Sequence, residues 1–564
     1  MLLAIQAMYA DVPVCVKSAE GLSACFQSVL GVKQGCPLSP LLFGLVLDDF
    51  ESRMQAALGA EASFPTLAGH TMGPMLFADD TFLIATSAAG LRAQLRFLQA
   101  YCEAKKLTVN TAKTQVMILR PGGGHGRPAA DETFTYAGTP LSVVSSTKYL
   151  GLTFSQLSKK RGFASCADVL ARAGRQAMFA MRRRAWELGA CSIEQQLSLF
   201  DIFVQPVLSY GCELWAVDLL TGTGPCSSVE RVHRWFCRRI QGLPNQVSSA
   251  VALGELGRQP LHLLWVRQLV RFWNRLQASM SEPDRPLGWA VADNLALLRE
   301  GGDLAAGSPC WSRRWLQFLQ SAPTDTGTLV WLTDLDENAV LERAAAAYHR
   351  QALESPPATP PETTATTQPH GALGHAPADL SAPHSAQGTG HGQPRALPAS
   401  KWPNVRASGC AAASQAASNK YAYYLDCIRG DLPLLQPAPH LLDPGIPPTH
   451  RIALSRFRTS CTDLRIERER YLPAAIKAPR HLRHCLMCAA TAIEDEFHMV
   501  FHCPIYDHLR FEYADLFSFP EQSPPSLACF LSQDQKRVAA FIHACHILRR
   551  RYACMSLAGS ESAL

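Results

Sequence analysis

The chain has 564 residues, of which 47% are hydrophobic and 18% charged, with a formal net charge of +6. That length accommodates roughly two to four domains with sizeable cores, and the composition excludes a wholly disordered chain. No apolar run approaches the roughly 18 residues a membrane span needs. Met1-Leu2-Leu3-Ala4-Ile5 also lacks the basic start of a signal peptide, so the expectation is an intracellular protein, nuclear or cytoplasmic and not secreted. Nineteen cysteines are scattered without a dense framework, which fits a reducing compartment with two or three of them recruited to metal.

Residues 1–155 alternate strand-like and helix-like stretches and imply an α+β unit. Gly31-Val32-Lys33-Gln34-Gly35-Cys36-Pro37-Leu38-Ser39-Pro40 comes first. Its two glycines permit a tight loop with close backbone approach. Ser39 is placed to cap, and Pro40 to start, a helix running from Leu41 to Phe50. A glycine loop feeding a helix N-terminus suits a nucleotide or a template backbone. Asp48 and Asp49 fall in that helix, where a structural or solvent-facing role is expected.

Met75-Leu76-Phe77-Ala78 and Thr81-Phe82-Leu83-Ile84-Ala85 have the length and composition of strands. They place Asp79 and Asp80 at the tip of a hairpin in an apolar setting. Two adjacent carboxylates there call for a cation, and hard divalent metals such as Mg²⁺ join carboxylate oxygens to phosphates. The chemistry indicated is a phosphoryl-transfer metal site. From Gly90 to Lys106, Leu91, Leu95, Leu98 and Cys102 form one helical stripe packing over a sheet. Lys113 follows in a turn, where it could neutralise a metal-bound triphosphate or protonate leaving pyrophosphate.

Residues 156–350 read as largely helical, punctuated by Pro206, Pro225, Pro244 and Pro260. From Gln156 to Arg275 there are 16 Lys and Arg against 8 Asp and Glu, an excess suited to a phosphate backbone. Residues 354–418 are rich in Pro, Thr, Ala, Gly, Ser and His and read as a disordered linker, with His370, His375, His384 and His391 as features of composition. Structure is expected again over 420–553. There Cys485-Leu486-Met487-Cys488 forms a knuckle, and His498 with either Cys503 or His502 closes a tetrahedral zinc site. Arg465, Arg468, Arg470, Arg480 and Arg483 lead into it and suit nucleic acid. Glu467 and Glu469 interleave with them and equally suit a solvated, mixed-charge face.

In this order, these stretches resemble the reverse transcriptases of non-LTR (LINE-like) retrotransposons. The loop with Gln34-Gly35, Leu38-Ser39-Pro40 and Phe43 matches motif B. Phe77-Ala78-Asp79-Asp80 matches motif C, Asn110 with Lys113-Thr114 motif D, and Tyr149-Leu150-Gly151 motif E. Tyr210-Gly211-Cys212-Glu213-Leu214-Trp215, Arg231 to Leu243, Glu255-Leu256-Gly257 and Pro260-Leu261 resemble the thumb and post-thumb region. The resemblance covers roughly residues 1–280 and the C-terminal module. It implies a partial palm (antiparallel sheet with packed helices) over 1–155, a helical thumb and post-thumb region over 156–350, and a zinc knuckle near 485–503.

It further implies that Asp79 and Asp80 are metal-holding catalytic carboxylates. Gln34 and Gly35 would line the template–nucleotide contact, and Lys113 would sit near the incoming triphosphate. Mg²⁺ and Zn²⁺ are the implied cofactors; template RNA, primer DNA and dNTPs the implied partners, with no membrane. Resemblance favours Cys485, Cys488, His498 and Cys503 as the zinc ligands.

One departure limits the reading. The family's third carboxylate, in motif A, belongs upstream of the Gly31 loop. Asp11 is the only acid before Glu20 and lies in what should be a loop. The chain therefore reads as truncated at its N-terminus, without the fingers or an endonuclease domain, and its two-metal site as incomplete unless a partner chain supplies the missing group. The alternative expectation is a non-catalytic RNA- or DNA-binding remnant working through basic thumb helices and the knuckle. A third is a protein-interaction module built on the helical region.

Overall fold

The computed structural model describes residues 2–19, 21–28, 31–33, 35–119, 133–156, 163, 165–220, 227–280, 286–300, 311–321, 335–354, 419–473, 476–488, 491–519 and 525–561. The expected linker, with its four histidines, lies outside them apart from Glu354, as do Gln34 and Pro225. The chain divides into two compact units, Met1–Gly162 with Ala278–Leu304 and Phe163–Gln277 with Ala305–Leu564. No helix among the described residues is long and apolar enough to cross a membrane.

The first unit is α+β, with small sheets of two strands each. Antiparallel pairs include Met75–Phe77 with Asp80–Phe82 and Ser146–Tyr149 with Leu152–Ser155; Gln115–Val116 pairs in parallel with Ser142–Val143. The helix expected after the hairpin spans Ala88–Lys105. Ser87 caps it by accepting from the Gly90 N–H at 3.0 Å, and Lys106 ends it in a left-handed conformation. Leu95, Leu98 and Cys102 of the expected stripe are buried, against Phe50, Met54, Val116 and Phe134. Gln94 shares that face, and its amide donates to the carbonyls of Ala62 and Ile84 at 2.8 Å each. Gly90 is obligatory here, because a Cβ would meet Ser63 and the Ala62 carbonyl below 3 Å.

The helix expected over Leu41 to Phe50 is instead two helices, Ser39–Leu47 and Phe50–Leu58. Ser39 does not cap. It is the first helical residue, and its hydroxyl donates back to the Lys33 carbonyl at 2.6 Å. Asp49, at the break, accepts from the Tyr101 hydroxyl at 2.5 Å and pairs with Arg53 and Lys105. These contacts tie the break to the Ala88–Lys105 helix. The Tyr101 hydroxyl pairing holds the Asp49 carboxyl below its usual range. Antiparallel pairing of Val14 with Phe26 and of Lys17 with Leu22 sets Cys15 opposite Cys25, and the two form a disulfide.

The second unit is helical. Cys166–Glu187, Ile193–Phe203 and Ser228–Ile240 pack around Phe200, Phe236 and Met178. The prolines act as boundaries: Pro206 opens the short Gln205–Leu208 turn, Pro244 lies between two helices, and Pro260 precedes Leu261–Met280. The segment after residue 419 packs onto this helical region: Ala250 and Val251 share one core with Tyr421, Leu454, Phe457, Phe530 and Phe541. A backbone bridge between Leu256 and Pro437 continues the seam. Gly257, at φ +62°, sits where a Cβ would lie 2.6 Å from the backbone at Gln436 and Pro437.

Candidate active site and metal centre

The Asp pair sits on a two-residue hairpin of the first unit. Phe77 pairs with Asp80, leaving Ala78 and Asp79 as a two-residue turn. Ala78 has φ +51°, the left-handed value that primed hairpin turns require and that costs a non-glycine residue about 1 kcal/mol. The strands are Met75–Phe77 and Asp80–Phe82, shorter than expected, so Asp79 is at the tip and Asp80 begins the return strand.

The apolar setting expected for the pair is not formed. Asp79 and Asp80 are exposed, and so are Met75, Leu76 and, at 62%, Phe77. A two-stranded ribbon has no neighbouring strand to cover its faces, which leaves both apolar and acidic side chains in solvent.

One further hairpin reaches this site. Leu150 at φ +46° and Gly151 at φ +83° form the turn between Tyr149 and Leu152. Tyr149 packs its ring on Phe82 at 4.9 Å between centroids. Burial, and then the negative charge of Asp80, pushes its hydroxyl pKa up. Tyr149 therefore stands beside the Asp pair, a placement the spacing of nearly 70 residues did not reveal. Thr147 ties the same strand to Gln115 through a 2.8 Å hydrogen bond.

Lys113 ends a turn in which its N–H donates to both the carbonyl and the side-chain oxygen of Asn110. Its ammonium is exposed, and no hydrogen bond or ion pair joins it to Asp79 or Asp80. Gly31 and Gly35 have φ of +83° and +84°, which glycine alone adopts freely, with open space where a side chain would stand. Gln34 lies outside the described residues.

As hard oxygen donors, Asp79 and Asp80 suit a divalent cation such as magnesium. Among the described residues, only one set of three or more potential ligands converges, and it is not this pair.

That set is Cys485, Cys488, His498 and Cys503, whose ligand atoms all lie within 4.8 Å of one another. The knuckle is built by a small loop closed by Cys485 N–H to Ala492 O at 2.9 Å and Glu494 N–H to Arg483 O at 2.9 Å. The Met487 N–H points at the Cys485 sulfur, 3.4 Å away. A helical turn over His498–His502 then brings His498 Nε2 to 3.5 Å from Cys488 Sγ and Cys503 Sγ to 3.9 Å from Cys485 Sγ. Their mutual hydrogen bond, and then burial, push the Cys485 thiol up to about 12, and the same bond lowers Cys503. His502 is exposed and outside the set, so the two fillings left open by spacing are separated in favour of Cys503. Four soft and borderline donors at this separation can hold a metal ion.

Spacing alone did not disclose the groups behind these ligands. Glu494 is buried, 3.8 Å from Cys485 Sγ, and accepts from the Arg465 N–H at 2.9 Å. Arg549 of the Gln535–Glu561 helix forms a two-point ion pair with Glu494 and donates to the Asp463 carbonyl at 3.0 Å. The arginines leading into the knuckle are mostly engaged within the fold. Arg465 pairs with Glu469, Arg470 with Glu467, and Arg483 with Glu469 and the Ile466 carbonyl. This is the mixed-charge packing that the interleaved glutamates suggested, turned inward.

Residues 4–154 match the family described as reverse transcriptase (RNA-dependent DNA polymerase). The chain is 33% identical over 128 residues to a retrovirus-related Pol polyprotein from the type-1 retrotransposable element R2 of Popillia japonica, covering 22% of this chain and 21% of that protein. It is 31% identical over 130 residues to the corresponding type-1 R2 polyprotein of Nasonia vitripennis, covering 22% and 12%. To the type-2 R2DM polyprotein of Drosophila melanogaster it is 27% identical over 140 residues, covering 24% and 13%. The matched segment thus spans about a fifth or less of the length of these relatives.

Proposed function

We propose that this chain, which carries a reverse-transcriptase segment of non-LTR retrotransposon type over residues 4–154, supplies palm and thumb to an RNA-directed DNA polymerase. The observation that carries this reading is the Asp79–Asp80 turn set against Tyr149 of the neighbouring hairpin, within the matched segment. Residues 1–155 are the palm portion, and the helices within 156–350 the thumb and post-thumb. Template RNA, primer DNA and dNTPs are the substrates.

Asp79 and Asp80 hold the cation-bearing end of the reaction from an exposed turn, so a phosphate-bound cation reaches them without displacing other side chains. Gly35, with Gln34, borders the template–nucleotide contact, and the free-standing Lys113 ammonium meets the triphosphate. Magnesium, when bound, activates the primer hydroxyl and stabilises the pyrophosphate leaving group. The reaction class uses a third carboxylate on a facing strand, and the described residues bring none to the pair.

The test is extension of a DNA primer annealed to RNA, by this chain alone and with an added polypeptide carrying the upstream palm strand of an R2 relative. Extension is expected in the complemented mixture. Asp79→Asn with Asp80→Asn should lower it by at least about a hundredfold, since both lost charges act on the reacting phosphates. A double variant that extends as well as the parent removes these residues from catalysis. Salt-sensitive RNA binding with no extension in any arm replaces the reading with a non-catalytic binding protein.

In the second unit, the Cys485, Cys488, His498 and Cys503 set is proposed as a structural zinc site. Metal analysis should return one zinc per chain. Cys485→Ser is expected to weaken zinc, in competition with a chromophoric chelator, by more than roughly the 10- to 100-fold of an outer partner. Arg549→Met, which strands Glu494 beside the Cys485 sulfur, is expected to fall inside that range. Equal zinc affinity in parent and Cys485→Ser would discard the site.

A further inference from the structure

The hairpin over Pro13–Gln27 is held by almost nothing from the protein core. No described residue in it is buried, and Val16, Leu22 and Phe26 are 56%, 73% and 53% exposed. Its strand segments, Pro13–Val14, Lys17–Ser18, Gly21–Leu22 and Phe26–Gln27, are two residues each. A two-stranded ribbon without a packed face is marginal in water.

A sulfur bridge crosses it instead. Val14 pairs with Phe26 and Lys17 with Leu22, so the second strand carries one extra residue between those two rungs. The Ser23 N–H donates to the Val16 carbonyl at 2.9 Å, which makes Ala24 the extra residue and sets Cys15 against Cys25. Their Cα atoms are 4.7 Å apart, within the range a disulfide spans, and both residues are exposed. Thirteen other cysteines among the described residues are free thiols, so this bond is no part of a disulfide framework.

Both arms of the hairpin lead to the glycine loop. Ser28 donates its N–H to the Val12 carbonyl at 3.0 Å, three residues before Gly31. The Leu2–Ala10 helix enters the other arm and touches the far end of the loop. There the Tyr9 hydroxyl lies 3.2 Å from Ser39 Oγ, and the Lys33 ammonium stands 5.4 Å from the Tyr9 ring centre.

A disulfide open to solvent is within reach of small thiols, and such bonds are the labile ones. We propose that Cys15 and Cys25 form a reversible thiol–disulfide switch, driven by the glutathione couple, that locks this hairpin when closed. In closing, one cysteine thiolate attacks glutathione disulfide, forming a mixed disulfide and releasing one glutathione thiolate. The other cysteine thiolate then attacks the protein sulfur of that mixed disulfide, forming the Cys15–Cys25 bond and releasing the second glutathione. The two protein thiols lose two electrons and two protons, and one glutathione disulfide becomes two glutathiones. Excess glutathione runs the same exchange backwards. Once open, the hairpin keeps only its short backbone ladder. The switch is independent of polymerase activity and of the knuckle.

Equilibrating the full chain in buffers from glutathione-rich to glutathione-disulfide-rich, followed by acid quench, alkylation and peptide mapping, tests this. Cys15 and Cys25 should be linked at the oxidised end and both alkylated at the reduced end, in either direction of approach. The buried Cys102, Cys166, Cys212 and Cys237 should remain thiols throughout. Hydrogen exchange on the same samples reads the locking. The Ser23 and Ser28 amides are expected to exchange at least about thirtyfold more slowly in the oxidised chain. Cys15→Ser should exchange at the reduced rate in every buffer, whereas Cys191→Ser, which removes an exposed cysteine elsewhere, should switch as the parent does. No Cys15–Cys25 linkage at any glutathione ratio, a linkage that glutathione does not reopen, or equal exchange in the two states would each overturn the proposal.

Discussion

Lowering the pH from 7 to 5 is expected to unfold the helical unit of this protein. Five of its histidines are held neutral by burial. His262 and His440 are pushed down to about 3, His349 and His546 to about 4, and His233 well below the ordinary value. Each is neutral in the folded chain and takes a proton on unfolding below its free value of about 6.5. The unfolded state then binds more protons, and stability falls as the pH falls.

Two carboxyls work the other way. Burial raises Glu230 and Glu496 to about 7, so each keeps a proton in the fold that the unfolded chain releases above about 4.3. Five protons against two leave a net three, or about 4 kcal/mol per pH unit between roughly pH 6 and 4.5. A domain with about 5–15 kcal/mol of stability does not survive much more than one such unit.

Urea midpoints measured across this range should drop steeply. Where the proposed zinc is bound, protons competing for Cys485, Cys488 and Cys503 act in the same direction. His440→Asn isolates the histidine part and should flatten the slope by about 1.4 kcal/mol per pH unit. A midpoint that is level from pH 7 to 5 would show these histidines to be protonated in the fold.

The second large effect belongs to Arg458. Its guanidinium holds the fully buried Glu255 carboxylate at 2.8 and 3.1 Å, across 203 residues of sequence. Burial works to raise the Glu255 pKa, but Arg458 outweighs it and holds the carboxyl below its usual range. Arg458→Leu leaves that charge in the core and is expected to cost about 3–5 kcal/mol. Arg458→Leu with Glu255→Leu should recover most of the loss, because an apolar pair of similar volume is near neutral. Equilibrium urea unfolding reads both. A single variant losing under about 1 kcal/mol would mean that Arg429, which already donates to the adjacent Gly254 carbonyl at 2.8 Å, takes over the charge.

This ion pair also explains how the segments on either side of residues 355–418 form one unit. Composition marks that stretch as a break and suggests separate modules before and after it. The 249–255 helix instead shares its core with Tyr421, Leu454 and Phe457, and Ala438 donates its N–H to the Glu255 carbonyl at 2.7 Å. The entropy of closing a loop grows only slowly with its length, so composition does not decide whether the ends of such a stretch are joined.

The features legible in the sequence are those carried by a few neighbouring residues. The hairpin bearing Asp79 and Asp80, the positive-φ glycines at 31 and 35, the buried stripe of Leu95, Leu98 and Cys102, and the knuckle of Cys485 and Cys488 all follow from turn chemistry or helical period. Those are local constraints, satisfied within one or two turns of chain. Which partner each group meets is a different matter. Tertiary packing chose Cys503 over His502, and brought Tyr149 beside Asp80 and Arg549 behind the knuckle. It also left the Asp pair in solvent and made five histidines neutral. Burial and charge pairing depend on residues tens to hundreds of positions apart, and residue type and spacing say nothing of which of them will meet.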